Sequence, residues 1–401
     1  MKDEDDRGDV KTGDVNFDII SDMKTEWIFL VAFGAAVLAF PGCGPDDGLQ
    51  DLADGKAAFE ANDLKKADRL LEKSVQVAAT NVDTLVYLAR VKLGLGELAA
   101  ARDWIGRAAA LAGGDTDVRK LSAQIAWHAK DYGVAVREFS ALAADEKLAA
   151  ALRSEGWTGI GIVEMTCNNR DLARIAFLRA IRIDRRNAAA WYHLGLLYRD
   201  SYGYSEAALE QFNIYVRLDV QASPRVQKVQ RSIIPELKEA IARAAADRPG
   251  ASKRDSAASA AALSKAEDAW KKGNFKTARL RYQDALAADA LSYPAAMGLA
   301  KAWLKTDATA KGQANALAAY KQACVLRPGS ISTFLATGDL ATRTGHHALA
   351  VEIYSRAVAA DSSSLEAIDG LIRALRRVGG KGVIAQAYQK YRDSIAEAKK
   401  K

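Results

Sequence analysis

The sequence predicts an all-α fold: a superhelical solenoid of antiparallel helix pairs, about nine repeats in two blocks. Three observations carry that expectation. Residue types recur at an interval of 34, the length of two short helices and their turns. The chain is rich in alanine and holds only 7 prolines, so helix interiors go largely unbroken. Small and large apolar residues alternate in fixed columns, as two closely crossing helices require. Apolar residues make up 49% of the chain and charged residues 27%, which excludes a mainly disordered chain, a collagen-like fibre and a polytopic membrane protein. Three cysteines cannot frame a disulfide scaffold.

Taken in order, residues 1–22 carry eight acids against three bases. The apolar run 28–40 (IFLVAFGAAVLAF) is 13 residues long. A membrane-crossing helix needs about 20, and a shorter run suits the core of an export signal. Met23-Lys24 supplies the short basic start that such a signal uses. Translation from Met23 is therefore expected, with residues 1–22 a non-native extension; the other reading is a disordered acidic tail. Pro41-Gly42-Cys43 closes the run. A small residue before a cysteine resembles the lipobox of bacterial lipoproteins, with Phe40 and Pro41 where that family usually has Leu and a small residue. The resemblance implies that residues 23–43 are a signal peptide and that Cys43 becomes the lipidated first residue, firmly anchored by several acyl chains. The alternative is an uncleaved anchor or a buried apolar helix. Residues 44–47 then read as a tether. Residues 44–401 hold 53 basic and 41 acidic residues, a net +12.

The repeats come next. Ala67, Ala101 and Ala135 share one column, Leu64, Leu98 and Tyr132 a second, and Leu71, Ile105 and Phe139 a third. Asn62 and Gly96 fall where the first helix of a repeat ends. After a four-residue insertion, Trp157 and Trp191, Ile160 and Leu194, and Gly161 and Gly195 resume the interval. Gly273, Phe275, Ala278, Tyr282 and Ala285 form the fullest second helix, echoed at Ala316, Tyr320 and Ala323 and at Gly345, Ala350, Tyr354 and Ala357. Trp191-x-x-Leu194-Gly195-x-x-Tyr198 forms the fullest first helix. These residues resemble the tetratricopeptide repeat (TPR) family. The resemblance implies repeats at 48–81, 82–115, 116–149, 154–187, 188–222, 259–292, 293–330, 331–364 and 365–398. Gly161, Gly195 and Gly338 are expected to face Ala173, Ala208 and Ala350 of their partner helices.

The register lapses at 223–246, where Pro235 begins or kinks a helix. Residues 247–258 carry turn residues and charge and read as a linker. The expected organisation is a first block at 48–246 with an additional helix and a second at 259–401 with a polar C-terminal capping helix. The alternative is one continuous superhelix.

The residues offer little chemistry. No HExxH, GxSxG, CxxC or phosphate-binding glycine loop is present. A metal site at His346-His347 would need further ligands, His193 beside core Trp191 reads as packed or surface-exposed, and Cys167 and Cys324 are expected as small buried hydrophobes. No cofactor or metal is expected, and no catalysis.

What remains is a surface. In a TPR stack the first helices line a concave groove. The register places Lys56, Phe59, Arg90, Lys120, Gln124, Trp127, His128, Tyr192 and Arg199 there in the first block, and Trp270, Lys301 and Arg343 in the second. Aromatic and basic residues together suit an extended peptide with acidic groups. Ordinary surface scatter is the competing reading, and Trp127 and Trp270 could equally seal contacts between repeats. The clamp of chaperone-tail-binding TPR domains is absent, Lys56 standing in one of its asparagine columns. The expected function is a lipid-anchored envelope scaffold that binds protein segments, similar in layout to TPR lipoproteins that help assemble outer-membrane proteins or pilus secretins. Alternatives are a cytoplasmic protein- or RNA-binding adaptor, permitted by the pI near 9.1 but disfavoured by interspersed charge, and an accessory subunit of a cell-wall enzyme.

Overall fold

A computed structural model describes residues 48–219, 223–246 and 255–398, and every regular element among them is helical. The extension, signal peptide, Cys43 and tether expected in residues 1–47 lie outside the described residues, as do 247–254 of the expected linker. The rest of that linker, from Ser256, already belongs to a helix.

The chain divides into two compact units. The first runs to Asn187, except for Phe177–Arg179, which belongs with the second; the second resumes at Ala188. The first unit holds four helix pairs: α1 (Leu49–Glu60) with α2 (Leu64–Val77), α3 (Val82–Gly94) with α4 (Leu98–Ala112), α5 (Thr116–His128) with α6 (Tyr132–Ala144), and α7 (Ala150–Thr166) with α8 (Arg170–Ile183). The second begins with α9 (Ala188–Leu196), prolonged by a π-helical turn (Leu197–Tyr202), and α10 (Ser205–Leu218). Next come the short α11 (Pro224–Lys228), a second π turn (Val229–Ile233) and α12 (Ile234–Ala246). Four more pairs complete it: α13 (Ser256–Lys271) with α14 (Phe275–Ala288), α15 (Tyr293–Thr306) with α16 (Ala310–Leu326), α17 (Ile331–Arg343) with α18 (His347–Ala360), and α19 (Leu365–Arg377) with α20 (Gly382–Ala398).

One backbone position explains why seven of the nine described first helices stop, α15 and α19 ending instead at extended Asp307 and Val378. Asn62, Gly96, Lys130, Asn168, Gly203, Gly273 and Gly345 all adopt positive φ, and each comes just after a first helix. After α1, the Asn62 amide donates to Phe59 O and the Asp63 amide to Ala58 O. The same pair of bonds recurs after α3, α5, α7, α13 and α17. This is the left-handed C-terminal motif that satisfies otherwise orphaned carbonyls. Asp63 and Asp131 then cap the next helix, their side chains accepting from the amides of Lys66 and Val134.

The left-handed residues also locate the irregularities of the period. Asn168 falls four residues late after Lys130, and α7 has 17 residues where α3 and α5 have 13, one extra helical turn. Gly203 falls one residue late after Asn168, and the π turn absorbs that residue.

The columns pack as a core. Ala67, Ala101 and Ala135 are fully buried, as are Leu71, Phe177 and Phe212, and Ile105, Phe139, Tyr282, Tyr320 and Tyr354 are nearly so. One detail differs from expectation. At Gly195 and Gly338 the atoms nearest an added Cβ belong to aromatic rings of the second helices, and not to Ala208 and Ala350. A methyl added at Gly195 would lie 3.0 Å from the Phe212 ring, and one at Gly338 2.7 Å from that of Tyr354. Gly298 abuts Tyr282, and Gly370 abuts the same Tyr354 from the following repeat. Each ring fills the space that a missing Cβ leaves. Cys324 is buried as expected, whereas Cys167, at the exposed end of α7, is not. His193 is fully buried, its ring stacked on Phe177 at 5.8 Å.

Candidate functional site

The first helices of the first unit carry a row of charges and rings. The 34-residue interval puts Lys56 and Arg90 in one column and Asp83 and Asp117 in another. Each cation reaches forward to the next first helix. Lys56 Nζ lies 2.9 Å from Asp83 Oδ2, Arg90 Nη2 3.6 Å from Asp117 Oδ2, and Lys120 Nζ 2.5 Å from Glu155 Oε2. Asp83 and Asp117 stand in the first turns of α3 and α5, where the helix dipole favours negative charge.

A tyrosine holds the centre. Lys56 and Arg90 both lie over the Tyr87 ring, at 4.9 and 5.0 Å from its centroid. Phe59 meets the same ring edge-on at 5.9 Å. Two cations on one ring at a partly exposed site contribute about 0.5–1 kcal/mol each. The cations lie deeper than their acids: the Arg90 side chain is 9% exposed and that of Asp117 61%. The groups expected to receive a partner's acids thus already hold a carboxylate of the following repeat. The more exposed Lys56–Asp83 pair gains only about 0–1 kcal/mol, so an incoming carboxylate can replace Asp83 there at small cost.

The remaining expected residues have separate surroundings. Gln124 and Trp127 are buried, and the Trp127 indole N–H donates to Thr166 Oγ1 of α7 at 3.2 Å. Trp127 therefore seals a joint between repeats, with His128 edge-on against it at 4.8 Å. Tyr192 is buried among His193, Phe212 and Tyr215, with Arg225 over its ring at 5.1 Å. Arg199, on the π turn, forms a two-pronged pair with Asp200 at 2.5 and 2.9 Å. Burial works against its charge, but Asp200, with Tyr192 and Glu236, more than offsets it and the guanidinium pKa is raised. Trp270 is half-buried and meets Phe275 at 4.9 Å. Lys301 and Arg343 are exposed.

Sequence reasoning missed Tyr87 and the acidic column. The signal was present: Asp83 and Asp117 repeat at the same interval as Lys56 and Arg90. It also missed Lys92, whose side chain is 10% exposed and reaches Asp68 at 2.7 Å, Glu72 at 3.0 Å and Glu97 at 3.3 Å. Burial alone would lower its pKa; the three carboxylates raise it instead. Tyr293 is the reverse of the usual buried phenol. Burial pushes its pKa up, but hydrogen bonds with Ser330 and Thr333 and the charges of Arg327 and Lys301 bring it below the ordinary value. Among the described residues no three His, Cys, Asp or Glu side chains gather as a metal site, and no helix is long and apolar enough to cross a membrane.

Residues 58–125 match the tetratricopeptide repeat family. The segment covers α2, α3 and α4 whole and holds Phe59, Asp83, Tyr87, Arg90, Asp117 and Lys120 of the row, with Lys56 and Glu155 outside it. Comparison with curated proteins returns no match. Among solved structures, a MamA crystal structure is similar over 47% of this chain and 97% of its own, with 16% identity and a TM-score of 0.36. A MamA from Desulfovibrio magneticus RS-1 is similar over 45% and 99%, with 15% identity and a TM-score of 0.37. The pilF product of Pseudomonas aeruginosa is similar over 49% and 91%, with 17% identity and a TM-score of 0.39.

Proposed function

We propose that this TPR-type helical repeat protein is a non-catalytic scaffold, held to a bacterial envelope membrane by lipid on Cys43, and that its first unit grips extended protein segments. One observation supports the grip above the rest: Lys56 and Arg90 both packed over the Tyr87 ring, with Phe59 edge-on against it. A cluster of aromatic side chains covered by two cations is a mixed apolar and basic surface against which an extended acidic chain can lie. A carboxylate of the partner exchanges for that of Asp83, which stays paired when the groove is empty. The net +12 of residues 44–401 brings an acidic segment in faster. Help in assembling envelope complexes is the role this arrangement suits.

Two experiments test the reading. A photo-crosslinking residue at Phe59, on the ring cluster, is compared with one at Arg69, exposed on α2. Protein adducts are expected at 59 only, and Tyr87→Ala should reduce them several-fold. Equal labelling at both positions, or adducts to RNA, would remove the groove reading. Mass analysis of the mature N-terminus, with Cys43→Ser as control, tests the anchor: an acylated Cys43 is expected, lost in the variant. An unmodified chain starting at Met1 would remove it.

A further inference from the structure

We infer that the edge of the first unit where α1 begins is a membrane-contact surface, seated on the phospholipid headgroups of the bilayer that holds the anchor. The inference rests on the anchoring reading above. Its first support is where the chain leaves the fold. Ser74, buried near the end of α2, donates its hydroxyl to Gly48 O at 2.8 Å. That bond fixes the start of α1 beside the end of α2. Five residue steps separate Gly48 from Cys43, a reach of at most ~18 Å. An acyl group at Cys43, or an uncleaved apolar run before it, thus keeps this edge close to the bilayer.

The second support is what the edge presents. Six large apolar side chains are strongly exposed among the described residues, and three of them lie here: Leu49 at 53%, Val77 at 48% and Leu111 at 51%. Val77 and Leu111 occupy the same place in successive repeats, at the ends of α2 and α4. Basic groups flank them. Arg107 is exposed, lies over the Trp104 ring at 4.4 Å and donates to Ala79 O at 3.4 Å, which draws it toward the α2–α3 turn. Lys73 is 59% exposed and pairs with Asp51 at 2.7 Å, so its stem more than its charge adds to this edge. Apolar tips among arginine, lysine and tryptophan suit the boundary between headgroups and acyl chains, where anionic lipid answers the cations. The opposite edge, with the left-handed turns at Asn62, Gly96 and Lys130, faces away; the contact edge also carries exposed Asp83, Asp115 and Asp117, so its apolar tips rather than its net charge hold it to the bilayer. The first unit would then stand on its α2–α3 and α4–α5 turns, with its first helices upright from the bilayer.

The test uses the full chain recovered from bacterial membranes and placed in vesicles of phosphatidylethanolamine and phosphatidylglycerol carrying brominated acyl chains. Cys167→Ser removes the exposed thiol and leaves Cys324 buried. A fluorophore is attached at Gly114→Cys, in the α4–α5 turn where an added Cβ meets nothing within 4 Å, or at Lys130→Cys on the opposite edge. Quenching at 114 is expected to exceed that at 130 several-fold, with a mass spectrum showing lipid on Cys43. Equal quenching of a lipidated chain overturns the inference and leaves the anchor standing. If the vesicle-bound chain carries no lipid, the measurement is repeated with Cys43→Ser so that the fluorophore sits at 114 alone; selective quenching at 114 then supports the inference through the uncleaved run. A chain neither lipidated nor bound removes anchor and inference together.

Discussion

At the scale of single residues, two features decide local stability, and each has a clean test. Gly96 and Lys130 hold the same left-handed position after α3 and α5, at φ 81° and 60°. An L-residue pays about 1–2 kcal/mol there, which glycine avoids. Nothing lies within 4 Å of the Cβ that alanine would add at Gly96. Gly96→Ala is therefore expected to cost about 1 kcal/mol through backbone strain alone, and Lys130→Gly to add about 0.5–1 kcal/mol, both read from urea unfolding. Asn62 and Gly96 were visible as a column because both residue types tolerate this conformation. Lys130 was not, since lysine has no such preference and only the capping bonds around it reveal the turn. The second feature is Tyr354. Burial, and then the bond its hydroxyl donates to Asp339 at 2.5 Å, push its pKa up to about 12. A folded-state pKa above the unfolded one means that the bond's stabilisation is complete below about pH 10 and fades as pH rises through about 12. Tyr354→Phe should flatten that alkaline loss, monitored by phenolate absorbance and helical circular dichroism.

At the scale of elements, the departures from the period are informative because helices absorb them differently. Four extra residues make about one turn and lengthen α7 with a residual rotation of only about 40°. One extra residue would rotate the next side chains by about 100°, and the π turn at Leu197–Tyr202 takes it up locally. Deleting Ser201 should therefore convert that turn to ordinary helix and retain the fold, at a cost of about 1 kcal/mol or less. Deleting Val163 from the interior of α7 should cost several times more, because it would turn Gly159 away from the Phe139 ring. Comparing the two unfolding midpoints checks this, and equal losses would refute it. The helix pairs were legible in the sequence because every repeat buries the same columns. The glycine–aromatic contacts were less so, since Tyr354 touches Gly338 and Gly370 from two different repeats and the interval within one repeat does not reveal its neighbour across the joint.

At the scale of the whole molecule, the same distinction separates fold from site. Packing columns repeat within the chain and can be counted, whereas the groove depends on which charges find each other between repeats. Lys56, Phe59, Arg90 and Lys120 were legible as a basic and aromatic row. Their prior engagement with Asp83, Asp117, Glu155 and Tyr87 needed coordinates, as did the removal of Gln124, Trp127 and Tyr192 into the interior. A solenoid also responds to damage in its own way. Each repeat touches only its neighbours, so stability is close to a sum of repeat and joint contributions. Gly370→Ala would drive a methyl into the Tyr354 ring at the joint between α17–α18 and α19–α20, a cost of about 1–3 kcal/mol. The loss should be local. Amide hydrogen exchange is expected to accelerate most in α17 to α20, less in α15 and α16, and not at all in α1 to α8. Uniform acceleration along the chain would mean that the repeats unfold as a single cooperative body, and the nearest-neighbour description would have to be abandoned for this protein.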